Sequence, residues 1–138
     1  MKFLFSLLFL SLFLPFQTLS AAECSCPPME NTETSFRNSD LVMIGTVNDV
    51  VVNSTFKSGY SEITFDIRKL LKADNELQSS QVVVYVPNNE CKPDFQHGFD
   101  YIIYAKGNIL FYQTNICARN KFFDNAYDEI EKLKKFDK

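Results

Sequence analysis

Four cysteines carry the clearest chemistry in this 138-residue sequence. Cys24 and Cys26 are separated by one serine and followed by two prolines, whereas Cys91 and Cys117 lie far downstream. An even number of cysteines in an exported chain predicts disulfides, and a strained Cys24–Cys26 bridge is disfavoured, so two pairings remain open. The alternative is a zinc site of four thiolates, which the one-residue spacing and an oxidising compartment disfavour.

The sequence has none of the usual catalytic patterns. His97 is the only histidine, so no second imidazole could complete a metal site around it, and we interpret it as a loop residue. There is no Gly-x-Ser-x-Gly elbow and no glycine loop for phosphate. We therefore expect a protein that is not an enzyme and needs no cofactor. A formal charge of −3 also argues against a nucleic-acid partner.

The N-terminus has the features of an export signal. A basic Lys2, an apolar run from Phe3 to Phe16 and small residues after it predict that residues 1–22 are a signal peptide. A membrane anchor is disfavoured because the apolar run is short for a bilayer. We expect residues 23–138 to form one monomeric domain. It would be secreted, or periplasmic in a bacterium, with no membrane contact after cleavage.

The elements that would position the cysteines are mostly strands. β-Branched residues and period-two alternation predict five strands, and Gly107-Asn108 is predicted as the turn between the last two. The strand segments are 41–52, 61–72, 81–87 and two within 99–117. A short helix is predicted from a Thr32 cap to Asn38. A closing helix is predicted from Asp124, with inward residues at helical spacing: Phe123, Tyr127, Ile130 and Leu133.

This order of elements predicts a mainly β fold. Five antiparallel strands with a short N-terminal helix and a C-terminal helix suit a five-stranded OB-fold barrel, because closure removes exposed strand edges. A β-sandwich is the alternative architecture.

Four sequence stretches together carry a family resemblance. They are "CSCPP" from Cys24, "SFRNSDLVMIGTV" from Ser35, "VVVYVPNNEC" ending at Cys91 and "YIIYAKGNILFYQTNIC" ending at Cys117. In this order they resemble the N-terminal domain of the tissue inhibitors of metalloproteinases, which belongs to the netrin-like module. The resemblance extends from Cys24 to about Leu133.

The resemblance implies a disulfide pairing and a mechanism. It implies Cys24–Cys91 and Cys26–Cys117 bridges in a five-stranded barrel. In the family, the α-amino nitrogen and carbonyl oxygen of the first cysteine, here Cys24, chelate the catalytic zinc of a secreted metalloprotease. They displace the water that the enzyme would use as nucleophile.

The resemblance also implies which other residues contact the protease. Ser25 would enter the primary specificity pocket, and Cys26, Pro27 and Pro28 would lie along the cleft. The loop before Cys91 would add a second strip of contact through Asn88, Asn89 and Glu90.

Three departures from the family pattern matter. Glu23 precedes Cys24, and signal peptidase prefers small residues before its cut, so we expect a mature chain that begins at Glu23. The Cys24 nitrogen is then an amide and cannot act as the chelating amine. Arg37 stands where the family has a third cysteine of this domain. The family's cysteine-rich second domain has no counterpart in these residues, so contacts through it are not implied.

Two functions follow from these observations. The first is a secreted metalloendopeptidase inhibitor that acts through Cys24, and the intact "CSCPP" stretch favours it. The alternative is a secreted netrin-like protein-binding module without inhibitory activity, which Glu23 favours.

Overall fold

Strands make up most of the regular structure. The structure, a computed structural model, describes residues 23–73 and 77–136, so the predicted signal peptide lies outside the described residues. The elements are α1 (Thr32–Asn38), β1 (Leu41–Val51), β2 (Tyr60–Lys72), β3 (Gln81–Pro87), β4 (Asp100–Asn108), β5 (Phe111–Gln113), β6 (Lys121–Phe122), a 3₁₀ turn (Phe123–Asn125) and α2 (Tyr127–Leu133).

The first five strands close into a barrel. Their order is β1-β2-β3-β5-β4, and β4 pairs back with β1 from Leu41↔Ala105 to Thr46↔Asp100. All of these pairings are antiparallel except that between β3 and β5. The short β6 adds to β4 beside β5. The predicted five-stranded barrel is thus confirmed, and the β1–β4 closure decides against a sandwich. The prediction that all strands are antiparallel is wrong for β3 and β5, which pair in parallel.

β1 and β4 are buried on both of their faces. One set of alternating residues points into the barrel, including Leu41, Met43 and Ile103. The other set includes Val42 and Ile102, which pack with Leu133 of α2 in a second cluster outside the barrel. The helices therefore cover the outer face of β1 and β4, and this double burial explains the near-continuous apolar runs in those strands.

The N-cap of the first helix lies one residue earlier than predicted, so the helix begins at Thr32. The Asn31 side chain accepts a hydrogen bond of 2.8 Å from the Thr34 N–H, so Asn31, not Thr32, is the N-cap. Thr32 is instead buried within the helix. The closing helix α2 begins at Tyr127 and not at the predicted Asp124, and the predicted inward set is wrong for Tyr127, which is 73% exposed.

The predicted turn between the last two strands is wrong by two residues. Gly107 and Asn108 belong to β4, where they pair with Tyr112 and Phe111. The turn is formed by Ile109 and Leu110. Gly107 is still essential to the geometry, because its φ of 119° favours glycine and a Cβ there would collide with the Phe111 carbonyl oxygen.

Candidate functional site

Residues 23–30, called here the N-terminal segment, lie on the barrel surface without helix or strand. Cys24 is half-buried, while Ser25, Cys26, Pro27 and Pro28 are all exposed. Two consecutive prolines restrict the backbone because each ring fixes its own φ. The segment therefore combines exposure with limited conformational freedom.

Two disulfides fasten the N-terminal segment to the barrel. They are Cys24–Cys91 and Cys26–Cys117, the pairing that the family resemblance implies, with Cα–Cα distances of 5.0 and 5.2 Å. They connect residues 67 and 91 positions apart, so each one ties the N-terminal segment to a distant loop. All four cysteines are used, which leaves no free thiolate for the zinc-site alternative.

The two partner cysteines are presented by the same type of turn. The Asn89 Oδ1 accepts a hydrogen bond of 2.9 Å from the Cys91 N–H, and the Asn115 Oδ1 accepts one of the same length from the Cys117 N–H. Each is an Asx turn, in which asparagine binds the backbone two residues ahead. The Ile116 N–H donates to the Cys91 carbonyl at 3.0 Å, which places the two turns side by side.

Asn88 and Asn89, which the family resemblance assigns to the second strip of contact, lie in two different environments. Asn89 lines a groove of about 690 Å³ together with Ser25, Pro27 and Pro28. Asn88 faces the other way: its amide donates to the Asn53 Oδ1 at 3.0 Å, and its Oδ1 accepts from the Ser61 hydroxyl.

Glu90 is exposed at the tip of this loop. The structure thus brings Asn89 to the N-terminal segment, while the Asn88 side chain holds the base of the loop.

A buried carboxylate anchors the far end of the N-terminal segment. Glu129 of α2 is 1% exposed and receives two hydrogen bonds from Arg119, of 2.9 and 2.5 Å. The remaining Arg119 nitrogen donates to the Glu30 carbonyl at 2.9 Å. The Thr32 hydroxyl, at 3.1 Å, and the Tyr104 hydroxyl, at 2.5 Å, also donate to Glu129. One carboxylate therefore connects both helices, β4 and the loop after Cys117.

This network changes the pKa values of its members. Burial by itself raises the pKa of Glu129, but hydrogen bonds from Arg119 and Tyr104 outweigh it and lower the pKa to about 2. Burial, followed by the hydrogen bond to Glu129, raises the pKa of Tyr104. At neutral pH Glu129 is thus charged and Tyr104 is a neutral donor.

Sequence reasoning missed three residues that position the site. Asn115 had a signal, because "NEC" and "NIC" repeat one Asn-x-Cys pattern before both downstream cysteines. Glu129 resembled an ordinary acid in the first turn of a helix. No local sequence pattern identified Arg119 as part of the site, because its partners lie 89 residues before it and 10 residues after it.

Other candidate chemistry receives no support in the described ranges. The only group of close potential metal ligands found there is Cys24, Cys26 and Cys117, and these sulfurs are in disulfides. His97 is exposed in the loop before β4. In residues 23–73 and 77–136, we find no helix with the length and apolarity needed to cross a membrane. The two disulfides suggest an oxidising, extracellular-type environment.

Comparison with known proteins adds no family assignment: no family model matches the chain, and no curated protein matches it significantly.

Proposed function

We propose that this chain is a secreted inhibitor of zinc metalloendopeptidases, of the type found in the tissue inhibitors of metalloproteinases. The observation that carries the proposal is the attachment of an exposed N-terminal segment by two disulfides to two adjacent loops. A segment that must present two atoms to a metal benefits from this attachment, because a preorganised ligand loses less entropy on binding.

In this proposal Cys24 acts through its backbone. Its α-amino nitrogen and carbonyl oxygen chelate the zinc of the protease and displace the attacking water. An α-amino group titrates near pH 8, so on the order of a tenth is already unprotonated at pH 7, and zinc competes with the remaining protons. The Cys24–Cys91 bridge holds this backbone beside the second contact loop.

The neighbouring residues would extend the contact along the protease cleft. Ser25 is exposed and free to enter a specificity pocket, and Pro27 and Pro28 follow it on the same surface. Asn89 shares the groove with these residues and, with Glu90, supplies the second strip. Asn88 contributes by holding this loop against Ser61 of β2.

The alternative proposal is a netrin-like protein-binding module without inhibitory activity. One observation favours it: Glu23 precedes Cys24, so the Cys24 nitrogen is an amide in the chain as described. Inhibition therefore requires a mature chain that begins at Cys24. The two proposals differ at this one nitrogen atom.

The test compares two proteins that differ only in Glu23. One is released from a fusion partner so that it begins at Cys24, and the other begins at Glu23. Inhibition constants are measured against a panel of zinc endopeptidases. Loss of a metal ligand should weaken inhibition by the Glu23 form at least about 100-fold, equivalent to about 2.7 kcal/mol.

Two controls separate the mechanism from the fold. Disulfide mapping must show the same two bridges in both proteins. Carbamoylation with cyanate, which blocks the α-amine, should abolish inhibition by the Cys24 form. Equal inhibition by both forms would disprove chelation by the amine. Failure of both folded forms against the whole panel would overturn the inhibitor proposal in favour of the binding module.

A further inference from the structure

The two disulfides lie in contact with each other. The Cys24 Sγ is 3.9 Å from the Cys117 Sγ, although these two atoms belong to different bridges. The sulfurs of Cys24, Cys26 and Cys117 all lie within 4.8 Å of one another. Such proximity matters because disulfides exchange by attack of a thiolate on a neighbouring sulfur.

The backbone around these sulfurs places the two bridge partners, Cys91 and Cys117, in adjacent turns. Cys24 and Cys26 are one residue apart, and the carbonyl of Cys91 accepts a hydrogen bond from Ile116, the neighbour of Cys117. The matching Asx turns present Cys91 and Cys117 alike. The alternative pairing, Cys24–Cys117 with Cys26–Cys91, therefore exchanges partners between two adjacent turns, and both turns lie outside the strands of the barrel.

We propose that the paired disulfides form a thiol–disulfide exchange site, at which a small thiol converts the chain into a second, folded isomer with Cys24–Cys117 and Cys26–Cys91 bridges. The entry point is Cys26, which is exposed, whereas the other three cysteines are half-buried. Access to the attacked sulfur is one of the factors that set exchange rates.

The exchange is balanced in atoms and electrons. The thiolate of the small thiol attacks Cys26 Sγ, and the Cys26–Cys117 bond breaks with its electron pair on Cys117. The Cys117 thiolate attacks Cys24 Sγ, 3.9 Å away, and releases Cys91 as a thiolate. Cys91 then attacks Cys26 in the mixed disulfide and regenerates the small thiolate. No net oxidation or reduction occurs, so the thiol acts as a catalyst.

The second isomer changes how the N-terminal segment is presented. Cys24 would be fastened to the 115–117 turn instead of the 88–91 loop, so Ser25 and the Cys24 backbone would leave their present positions. Exchange itself uses only the chain's own sulfurs and a small thiol. It goes beyond the proposed function and stands whether or not the chain inhibits a protease.

The main test uses the mature four-cysteine protein. It is incubated in glutathione redox buffer at pH 8, where an appreciable fraction of small thiol is thiolate. Aliquots are quenched with acid and mapped by chromatography and mass spectrometry. We expect a second species of identical mass with Cys24–Cys117 and Cys26–Cys91 bridges, within about tenfold of the native abundance at equilibrium, a difference of about 1.4 kcal/mol. A sample without thiol should keep the native pairing alone.

A variant isolates the step between the two close sulfurs. In Cys91→Ser the Cys24 thiol is free beside the Cys26–Cys117 bridge, and it should exchange without any added thiol. Rapid alkylation should then label both Cys24 and Cys26, because each is free in one of the two forms.

One control defines the behaviour of the unfolded chain, and either of two results would overturn the proposal. The control is the same incubation in guanidinium, which unfolds the chain. All three possible pairings of the four cysteines should then form, including the one with a Cys24–Cys26 bridge, which should be missing from the folded protein. Native pairing alone after equilibration of the four-cysteine protein with glutathione would overturn the proposal, as would alkylation of Cys24 alone in folded Cys91→Ser. Neither readout involves a protease, so either result can be distinguished from failure of the inhibitor proposal.

Discussion

At the residue scale, Glu129 connects α2 to the far end of the N-terminal segment through Arg119. Its side chain is 1% exposed and contacts Arg119, Tyr104 and Thr32, and Arg119 in turn binds the Glu30 carbonyl. A buried charge of this kind is stable only while its partners remain in place. The position of the segment is therefore coupled to the packing of α2.

We expect Glu129→Gln to destabilise the fold strongly. The amide is neutral and leaves the Arg119 charge without its partner, so the free energy of unfolding should fall by about 3 kcal/mol at pH 7. Urea denaturation followed by circular dichroism measures this change. The matched control is Glu131→Gln on the same helix, whose exposed ion pair with Lys134 should contribute far less to the free energy of unfolding. Equal changes in the two variants would contradict the role given to Glu129.

At the element scale, the β4–β5 hairpin shows how pairing overrides a local turn signal. The Gly107-Asn108 dipeptide favours a turn, yet both residues remain in the ladder. The Gly107 N–H donates to the Asp40 carboxylate at 2.8 Å, and Gly107 itself pairs with Tyr112. The turn is formed by Ile109 and Leu110 instead. The role of Gly107 is to let the two strands approach each other closely.

Replacing this glycine tests that explanation. Gly107→Ala combines the strain of a positive φ with a collision against the Phe111 carbonyl, and should lower the free energy of unfolding by about 3 kcal/mol. Gly98→Ala is the matched control, because Gly98 also has a positive φ, of 82°, but no atom lies within 4 Å of its Cβ position. It should cost about 1 kcal/mol. Similar thermal shifts in the two variants would show that the collision contributes nothing.

At the scale of the whole molecule, the Glu129 network predicts how stability depends on pH. The folded-state pKa of about 2 is below the ordinary value of 4.5. A carboxyl group whose pKa is lowered by folding stabilises the folded state at pH values above its ordinary pKa. This stabilisation is lost as the pH falls towards the folded-state pKa. The free energy of unfolding should therefore drop by about 3 kcal/mol between pH 5 and pH 2.

The Glu129→Gln variant is also the control for this pH dependence. Without the carboxyl group its loss of stability over the same range should be smaller by about 3 kcal/mol. The pKa of Asp66 is also lowered, first by its hydrogen bond from Asn48, but this contribution is common to both proteins and cancels. Parallel pH profiles of the unfolding midpoint for the two proteins would refute the assignment.

Much of the fold was predictable because its signals are local. Ile63, Phe65 and Ile67 alternate with polar residues, so β2 could be recognised from a few neighbouring positions. A glycine within a strand pattern is another local signal, typical of a bulge, and β1 does shift register beside Gly45. The exact turn and the N-cap were not predictable from local sequence. The Gly107 N–H binds the Asp40 carboxylate and the Thr32 hydroxyl binds Glu129, and both partners are distant in sequence.

Local sequence specifies the five barrel strands, the two short helices and the Cys-Ser-Cys-Pro-Pro stretch, because each depends on residues next to one another. It gave no signal for the short β6. The disulfide pairing needed a family resemblance as well. Only the tertiary structure decided that two bridges come within 3.9 Å, that Asn89 shares a groove with Ser25, and that Glu129 is buried. These features arise when closure of the barrel joins segments that are far apart along the chain, and no local pattern specifies that closure.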